Sequence, residues 1–487
     1  MSEIKFRDRV EQISNTFFGR DFLEVLKHSK NYFLGDVFGQ GVMFISLTFF
    51  TRLLSPADYG TFQVFRSYAS IFLLLLPLNF HGAVSRYYYE QKSDFKEFVG
   101  TSILGSFFFF TLASLFLLLF HQQVSNMLGI SKGLLNVVLL FVSVKIFDTI
   151  FNQISTAAKQ SLLYTTVNNA RVILGVGLGF GLIYFFKNDK FYAPILGQFL
   201  AGIIVSFFTL RLIKSQILWN IKRDHIKYIF NYSLPLVPYL VSGLLLDQLD
   251  RIIIYKTLGA VEAGLYSFAY NIGMIVSLAT DALSAALVPD WFRLMKEQNY
   301  KQIDTLVSKV FKVTLFIALG AILFSKEPVE ILSDPQYHVA LSILPIVMVG
   351  YVFDALSKIY LRSIGYTNKM MYVAFIGIFT VFVNYVLNII YLPRYGYVAG
   401  AYVTVFSFIL MTTLSLWTAK YVLKQHVTPL KNFLEPALLF IIAIILYYFI
   451  LKFDLNFIYS FGLRLVVLIL FTVSLFQVNK KQAADMV

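Results

Sequence analysis

Residues 54–62 read LSPADYGTF, and residues 258–266 read LGAVEAGLY, a partial match that lies 204 residues further along the chain. With one inserted residue, Phe95–Glu97 then falls on Tyr300–Gln302. Each match lies beside the second apolar segment of its half of the chain. Collinear matches at a nearly constant offset indicate an internal repeat, and its second copy begins at the seventh apolar segment.

The composition is typical of a membrane protein. Hydrophobic residues make up 58% of the 487 residues, charged residues only 14%, and the mean hydropathy is +0.70. A soluble domain carries roughly 25% charged residues. The net charge of +14 would suggest a nucleic-acid ligand in a soluble protein. In a membrane protein it reflects basic cytoplasmic segments, so no nucleic acid is expected.

Metal and nucleotide chemistry find no support in the sequence. The chain has no cysteine, which excludes a disulfide or a thiolate metal site. Its six histidines show no metal-ligand spacing, and no glycine-rich phosphate loop ends in Lys-Ser or Lys-Thr. The sequence therefore predicts neither a metal site nor an ATPase.

Apolar segments of about 20 residues, the length that crosses a bilayer, occur about fourteen times. Six of them separate the two copies of the repeat, so both copies have the same orientation in the membrane. We therefore predict an all-α integral membrane protein of about 14 transmembrane helices, with two six-helix lobes in a parallel pseudo-twofold repeat and two further C-terminal helices. The predicted spans are 31–53, 61–84, 98–120, 133–154, 162–186, 191–213, 233–256, 263–288, 306–325, 338–360, 369–392, 396–419, 433–452 and 456–477.

Lys and Arg are far more frequent in the segments on the side of the N-terminus than on the opposite side. The positive-inside rule therefore places both termini in the cytoplasm. No segment between the spans is long enough for a separate domain. The predicted organisation is a cytoplasmic amphipathic N-terminal segment at 1–30, an N-lobe at 31–213, a cytoplasmic linker at 214–232, a C-lobe at 233–424, the last two spans at 433–477 and a cytoplasmic tail at 478–487.

Residues 51–60, TRLLSPADYG, resemble the signature that follows the first helix of polysaccharide transporters. The second half carries the same resemblance at Ser233–Leu236, Asp250–Ile254 and Gly264–Ser267. These transporters are the Wzx-type O-antigen and capsule flippases of the multidrug/oligosaccharidyl-lipid/polysaccharide (MOP) exporter superfamily. The resemblance extends over the whole chain in length, helix count and lobe structure.

The resemblance implies a transporter and not an enzyme. Its cargo would be an undecaprenyl-pyrophosphate-linked oligosaccharide, bound in a V-shaped cavity between the lobes. Alternating access would move that cargo from the cytoplasmic to the outer face of the bacterial inner membrane, for O-antigen, capsule or exopolysaccharide synthesis. Membrane lipid, a polysaccharide polymerase and a chain-length regulator are the implied partners. No cofactor is implied, and coupling to protons or to sodium stays open.

Two alternatives remain open. The first is a cation-coupled drug exporter of the same superfamily, although cation export favours an acidic, sparsely basic cavity and these spans carry both signs of charge. The second is a membrane glycosyltransferase or polymerase. Such enzymes display a sizeable outward loop, whereas the outward segments predicted here are short.

The motif before the second span fits the start of a helix. Ser55 suits the N-cap, Pro56 suits the first helical position, and Asp58 stands where a capping box places an acidic residue. The two glycines of the repeat suit close helix packing, and the basic residue before the motif is expected at the outer rim of the membrane. The positions with this structural interpretation are Arg52, Ser55, Pro56, Asp58, Gly60, Glu262 and Gly264.

Ionisable residues inside spans are candidates for function, because a charge at the bilayer centre costs about 2.5–3.5 kcal/mol even on insertion scales. Arginine suits a pyrophosphate because its planar fork binds phosphate oxygens in pairs and stays charged when desolvated. Lipid-pyrophosphate transporters that this chain resembles use cavity arginines, one of them on the helix that carries Arg66. The candidates for pyrophosphate binding are Arg66, Arg251, Arg171, Lys145 and Lys358.

Acidic residues inside spans are candidates for ion coupling, since a proton site needs a buried carboxylate. These candidates are Asp36, Asp281 and Asp354. The alternative is that they are counter-ions for the cavity arginines.

Several of the charged residues also fit a purely structural role, because they stand three or four residues from an opposite charge on the same helix. The pairs are Lys145 with Asp148, Asp247 with Arg251, and Asp354 with Lys358. Arg464, in the last span, fits either a groove for a lipid tail or a structural pair.

Overall fold

The computed structural model describes the backbone of residues 20–90, 93–453 and 456–484, and within these ranges the side chains of residues 37–475. The described chain is helical and contains no strand in these ranges. The α-helices are α1 (Arg20–Leu53), α2 (Pro56–Leu75), α3 (Val84–Tyr89), α4 (Phe95–Leu119), α5 (His121–Leu128), α6 (Lys132–Ala157), α7 (Ser161–Ile183), α8 (Tyr192–Ile213), α9 (Arg223–Thr257), α10 (Ala260–Lys296), α11 (Tyr300–Leu323), α12 (Lys326–Leu332), α13 (Leu344–Tyr366), α14 (Met370–Tyr395), α15 (Tyr397–Trp417), α16 (Lys431–Leu451) and α17 (Phe457–Ala484).

The helices account for the predicted spans. Within the described ranges, 12 helices are long and apolar enough to cross a membrane, and α2 with the segment Phe80–Tyr89 adds a bent thirteenth. The part of α1 from Val37 to Leu53 is a further, shorter apolar helix. The chain is therefore an all-α multi-pass membrane protein, and the prediction of about 14 spans is confirmed.

The second span, predicted over 61–84, is not one straight helix. The structure bends it by 59° between α2 and the segment Phe80–Tyr89. Pro77 lies in the break, and a proline cannot donate the backbone hydrogen bond that would continue the helix. Leu78 and Asn79 follow with φ of 51° and 53°, in the left-handed region. Pro77 and the two left-handed residues that follow it therefore break the helix within this span.

Residues 1–19 of the predicted segment 1–30 lie outside the described residues, and α1 begins at Arg20. The side chain of Asp36 is also outside them. The end of the predicted tail, residues 485–487, lies outside them too.

The helix start after Ser55 is capped by side chains. The Ser55 hydroxyl accepts a hydrogen bond from the Asp58 backbone N–H at 3.1 Å and donates one to Asp58 Oδ2 at 2.7 Å. In the second copy of the motif Gly259 stands before α10 with φ of +116°, a conformation that favours glycine. The two copies therefore begin their helices by different local chemistry.

The two copies of the repeat motif pack against each other through their glycines. A Cβ atom at Gly60 would collide with the backbone oxygen of Ala260, and one at Gly264 would collide with the backbone oxygen of Pro56. These contacts are reciprocal, since Pro56 corresponds to Ala260 and Gly60 to Gly264 in the repeat. Reciprocal contacts are what a twofold axis between two equivalent elements produces. The parallel repeat that the sequence predicts is thus visible in side-by-side helix starts.

We expect Gly264→Ala to destabilise the protein, because an added methyl group has no room beside backbone atoms that cannot rotate away. Overpacking of this kind typically costs about 1–3 kcal/mol. Thermal unfolding of the purified protein in detergent measures the effect. Gly320→Ala is the matched control, since no atom lies within 4 Å of its added Cβ. Equal melting temperatures for the two variants would contradict the close packing.

The described chain divides into two compact units by its contacts. Unit 1 comprises Met1–Leu53 and Tyr68–Val237, and unit 2 comprises Leu54–Ser67 and Pro238–Val487. In unit 1 α7 packs on α8 and α1, whereas in unit 2 α15 packs on α13 and α14. The last two helices, α16 and α17, pack on each other and on α11. These units are defined by packing, whereas the predicted lobes are defined by the sequence repeat. The lobe boundaries therefore stay a prediction.

A histidine joins equivalent elements in each half of the chain. In unit 1 His225 Nε2, at the start of α9, lies 2.7 Å from Asp94 Oδ2, just before α4. In unit 2 His426 Nε2, after α15, lies 2.8 Å from Asp304 Oδ1 on α11. Each histidine follows the sixth long helix of its half and contacts the third. The repeat therefore extends to tertiary contacts that the sequence match does not contain.

The contact at Asp94 predicts a pH-dependent stability. Hydrogen bonds with His225 and from Tyr87 hold the pKa of the Asp94 carboxyl below its ordinary value. A lowered folded-state pKa stabilises the protein above the unfolded value of about 3.9, and this stabilisation is lost as the pH falls through the folded-state pKa. We expect Asp94→Asn to lower the melting temperature at pH 7, with a difference from the original protein that shrinks in acid.

Asp189→Asn is the control for this measurement, because Asp189 is exposed and its left-handed backbone (φ 52°) also suits asparagine. A melting-temperature difference for Asp94→Asn that is the same at pH 7 and pH 3 would contradict the role of the carboxylate charge.

Candidate functional site

Two arginines lie close together inside unit 2, on helices long enough to span a membrane. Arg66 stands about three turns after the start of α2, and Arg251 stands in the second half of α9. Gln248 joins the two helix segments, because its Oε1 accepts from Arg251 Nη1 and from the hydroxyl of Ser67, the residue after Arg66. Arg66 is half-buried, and its guanidinium lies 6.0 Å from the ring centre of Phe62. The structure thus brings together the first two residues that the sequence proposed for pyrophosphate binding.

Neither guanidinium forms an ion pair with any carboxylate of the described residues. Arg251 is 8% exposed and donates to the backbone oxygen of Asp247 at 2.9 Å and to Gln248 Oε1 at 3.0 Å. The buried Arg251 Nε has no hydrogen-bond partner in the described chain. The expected i,i+4 ion pair of Asp247 with Arg251 is therefore not formed, because Arg251 bonds the main-chain oxygen of Asp247 and not its carboxylate.

Neutral polar side chains surround the two arginines. Asn271 Nδ2 donates to the hydroxyl of Tyr59 at 2.7 Å, about two turns before Arg66 on α2. Ser67 Oγ donates to Gln248 Oε1 at 2.8 Å. None of these residues was a candidate from the sequence, where amides and hydroxyls on apolar helices gave no signal of their own. The arrangement can bind an anion, because two guanidinium groups meet and no described carboxylate lies within ion-pair distance of either.

A buried carboxylate lies next to this site along α9. Asp250 is 3% exposed and accepts hydrogen bonds from the Tyr266 hydroxyl and from Asn388 Nδ2, each at 2.8 Å. The Thr404 hydroxyl also donates to it, and Asn388 donates in turn to Asn384 Oδ1 at 3.1 Å. Asp250 stands in a motif of the sequence and is one of the ionisable residues inside its spans, and a further signal was the pair Asn384 and Asn388 one turn apart on an apolar helix. Neutral donors from three other helices thus hold the carboxylate.

Lys358 lies between two of the acidic candidates. Its Nζ atom is 2.7 Å from Asp281 Oδ1 on α10 and 2.7 Å from Asp354 Oδ2 on its own helix α13. The predicted pair of Asp354 with Lys358 is therefore joined by a third residue from another helix. The cluster holds two negative charges and one positive charge. Lys358 is thus neutralised in this structure, unlike Arg66 and Arg251.

Arg171 and Lys145, in unit 1, both contact one buried carboxylate. Asp148 is 2% exposed and lies 2.8 Å from Arg171 and 3.3 Å from Lys145. Ser206 Oγ, on α8, donates to the same carboxylate at 3.2 Å. Arg171 has no acidic neighbour on α7, and its partner on α6 could not be read from the sequence. This arrangement joins three helices and leaves a net charge of one positive.

The remaining charged candidates lie elsewhere. Arg464 Nη2, in the last span, lies 2.5 Å from Glu327 Oε1, and Arg464 Nη1 donates to the Leu323 backbone oxygen at 2.9 Å. Of the two roles expected for Arg464, the structure shows the structural pair. Arg52 is exposed in the last turn of α1. Asp36 belongs to α1, and its role stays a prediction.

The chain resembles proteins of glycan biosynthesis along most of its length. Residues 25–295 match the model of the family described as polysaccharide biosynthesis protein. The probable low-salt glycan biosynthesis flippase Agl15 of Haloferax volcanii is 24% identical over 401 residues, which cover 80% of this chain and 83% of that protein. The Lsg locus putative protein 1 of Haemophilus influenzae is 24% identical over 282 residues, covering 57% and 68%.

The fold resembles that of solved transporters. A lipid II flippase MurJ in an inward closed conformation superposes with a TM-score of 0.73 at 16% identity, covering 93% of this chain and 99% of that one. An inward-facing multidrug resistance MATE family transporter of the MOP superfamily superposes with a TM-score of 0.60 at 13% identity. At these identities the likeness concerns the fold alone. The family match covers more than half of the chain, and this multi-pass membrane protein belongs to the polysaccharide biosynthesis protein family.

Proposed function

We propose that this chain is a flippase that carries an oligosaccharide linked to a lipid pyrophosphate across the membrane. The observation that carries the proposal is the pair Arg66 and Arg251 in unit 2, whose helices are joined at Gln248 and neither of which lies within ion-pair distance of a described carboxylate. Two like charges inside membrane helices are unfavourable unless something compensates them. A ligand with two negative charges supplies that compensation.

A pyrophosphate that joins a lipid to a sugar carries two negative charges at neutral pH, one on each phosphate. That number matches the two arginines of the site. Each guanidinium can donate two parallel hydrogen bonds to phosphate oxygens, and the unpartnered Arg251 Nε is available for one of them. A singly charged phosphodiester would leave one positive charge unpaired. The site therefore favours a pyrophosphate over a monophosphate link.

The relatives support the same class of cargo. One of them is named a glycan biosynthesis flippase, and the family is described by polysaccharide biosynthesis. We extend this to an undecaprenyl carrier in a bacterial inner membrane, serving O-antigen, capsule or exopolysaccharide synthesis. Both termini would lie in the cytoplasm, and the cargo would move outward by alternating access.

Ion coupling is a further part of the proposal. The cluster Asp281–Lys358–Asp354 contains two carboxylates and one ammonium group, so its net charge is one negative. One proton or one sodium ion would neutralise it, so we propose this cluster as the coupling site. Asp36 stays a second candidate on α1. Lys145 and Arg171 would contribute to cargo binding only if Asp148 released them.

The sidedness of the cargo in a deletion strain of the native host tests the proposal. A flippase predicts that the completed lipid-linked unit accumulates on the cytoplasmic face while surface polysaccharide disappears. If the unit reaches the outer face normally and is left unpolymerised, the protein acts later, as an enzyme would. If sidedness is normal and only drug susceptibility changes, the chain is a drug exporter.

A further inference from the structure

We infer that Gln248 is a positioning residue for the cargo site, and that its lack of charge is required for transport. The inference rests on the proposed function, because it concerns how the same two arginines are held. Gln248 is half-buried on α9, three residues before Arg251. It was not a candidate in the sequence, where a single glutamine in a span carries no motif.

One amide oxygen of Gln248 connects both arginine-bearing helices. Gln248 Oε1 accepts from Arg251 Nη1 at 3.0 Å and from Ser67 Oγ at 2.8 Å. Ser67 is fully buried and follows Arg66 directly in the chain. The oxygen therefore fixes the orientation of one guanidinium and the position of the helix turn that carries the other.

The amide does this without neutralising the site. A glutamate at the same position would present the same acceptor geometry and would also attract Arg251 electrostatically. For stability alone, glutamate would therefore serve as well as glutamine or better. For anion binding it would serve far worse, because the added negative charge cancels one of the two positive charges and repels a pyrophosphate.

The other acceptors around the two arginines are neutral as well. Arg251 also donates to the Asp247 backbone oxygen at 2.9 Å, and Tyr59, which interacts with Arg66, receives its hydrogen bond from Asn271. The hydrogen-bond acceptors of Arg251 are thus a carbonyl oxygen and an amide oxygen. Such groups orient a guanidinium without forming an ion pair with it.

The test compares Gln248→Glu with Gln248→Met in cells that depend on the chain for polysaccharide export. We expect Gln248→Glu to lower export at least tenfold while its melting temperature stays at or above that of the original protein. Gln248→Met removes the acceptor without adding charge, and we expect a smaller loss of export and a lower melting temperature. Gln302→Glu, on the exposed surface of α11, makes the same charge change as a control.

A binding readout separates charge from folding. A short-chain prenyl pyrophosphate should raise the melting temperature of the purified original protein and of Gln302→Glu, and should not raise that of Gln248→Glu. Full export by Gln248→Glu, or a melting temperature well below the original, would overturn the inference.

The outcome for Arg251→Ala distinguishes failure of the Gln248 positioning role from failure of the proposed pyrophosphate site. If Arg251→Ala loses export and Gln248→Glu keeps it, the positioning role fails and the arginine site stands. If Arg251→Ala and Arg66→Ala both keep full export, the proposed pyrophosphate site fails, and the inference fails with it.

Discussion

Arg66→Ala and Arg251→Ala are each expected to lower export of the lipid-linked oligosaccharide by at least about 30-fold. Removing one partner of a desolvated, hydrogen-bonded charge pair costs roughly 2–5 kcal/mol, and each substitution removes one guanidinium from the proposed pyrophosphate. Surface polysaccharide per unit of membrane-inserted protein is the measurement. Lysine at either position should give an intermediate result, since it keeps the charge and loses the planar fork.

The loss should not come from misfolding. Neither arginine lies within ion-pair distance of a described carboxylate, so its removal breaks no salt bridge. It also removes repulsion between two neighbouring positive charges. We therefore expect melting temperatures close to that of the original protein.

Arg293→Ala is the matched control for these variants. Its side chain is 57% exposed and pairs with Asp290 on the same helix, so its loss should leave export unchanged. Full export by both Arg66→Ala and Arg251→Ala would remove the basis of the pyrophosphate site.

Asp148→Ala is expected to destabilise the protein by roughly 3–5 kcal/mol, the usual cost of breaking a buried ion pair from one side. Asp148 contacts Arg171 at 2.8 Å and Lys145 at 3.3 Å, and its removal leaves two cations close together inside unit 1. The measurement is the melting temperature in detergent, together with the amount of protein inserted in the membrane.

A double variant shows whether the charge is the cause. Asp148→Leu with Arg171→Met removes the buried carboxylate together with its nearest cation, so it should recover much of the stability that Asp148→Ala loses. The result also bears on cargo binding. If Asp148→Ala keeps its stability and changes export, Arg171 and Lys145 are held for the ligand and not for the fold.

The spans could be predicted because the bilayer imposes a local rule on the chain. A run of about 20 apolar residues suffices to identify a helix, and each long helix from Lys132–Ala157 to Phe457–Ala484 overlaps a predicted segment, although Arg223–Thr257 begins ten residues before its prediction. The second span shows the limit of that rule. Its apolar composition is continuous, whereas the backbone at Pro77, Leu78 and Asn79 bends it.

The partners of charged residues could be predicted only in part, because they depend on how helices face one another. Lys145 and Asp148 share a helix face, and their contact follows from spacing. Arg171 reaches the same carboxylate from another helix, and only helix packing places it there. Asp247 and Arg251 have the spacing of a pair and form none, because the guanidinium turns to the main chain and to Gln248.

The neutral groups of the site were even harder to predict from the sequence. Tyr59, Ser67 and Asn271 belong to an apolar background in which hydroxyls and amides are common. Their role depends on meeting Arg66 and Arg251 in space. The sequence therefore identifies the charged residues of the site, and the structure identifies the neutral residues that lie beside them.

The most direct measurement is translocation by the purified protein in lipid vesicles. A fluorescent short oligosaccharide linked through pyrophosphate to a polyprenyl chain is placed in both leaflets, and a sugar-cleaving enzyme is added outside. We expect the protected inner-leaflet pool to become cleavable at a rate proportional to the amount of protein, and to stay protected in vesicles that carry the double variant Arg66→Ala and Arg251→Ala. A pool that stays protected with the original protein, or that is lost equally with the double variant, would contradict the account.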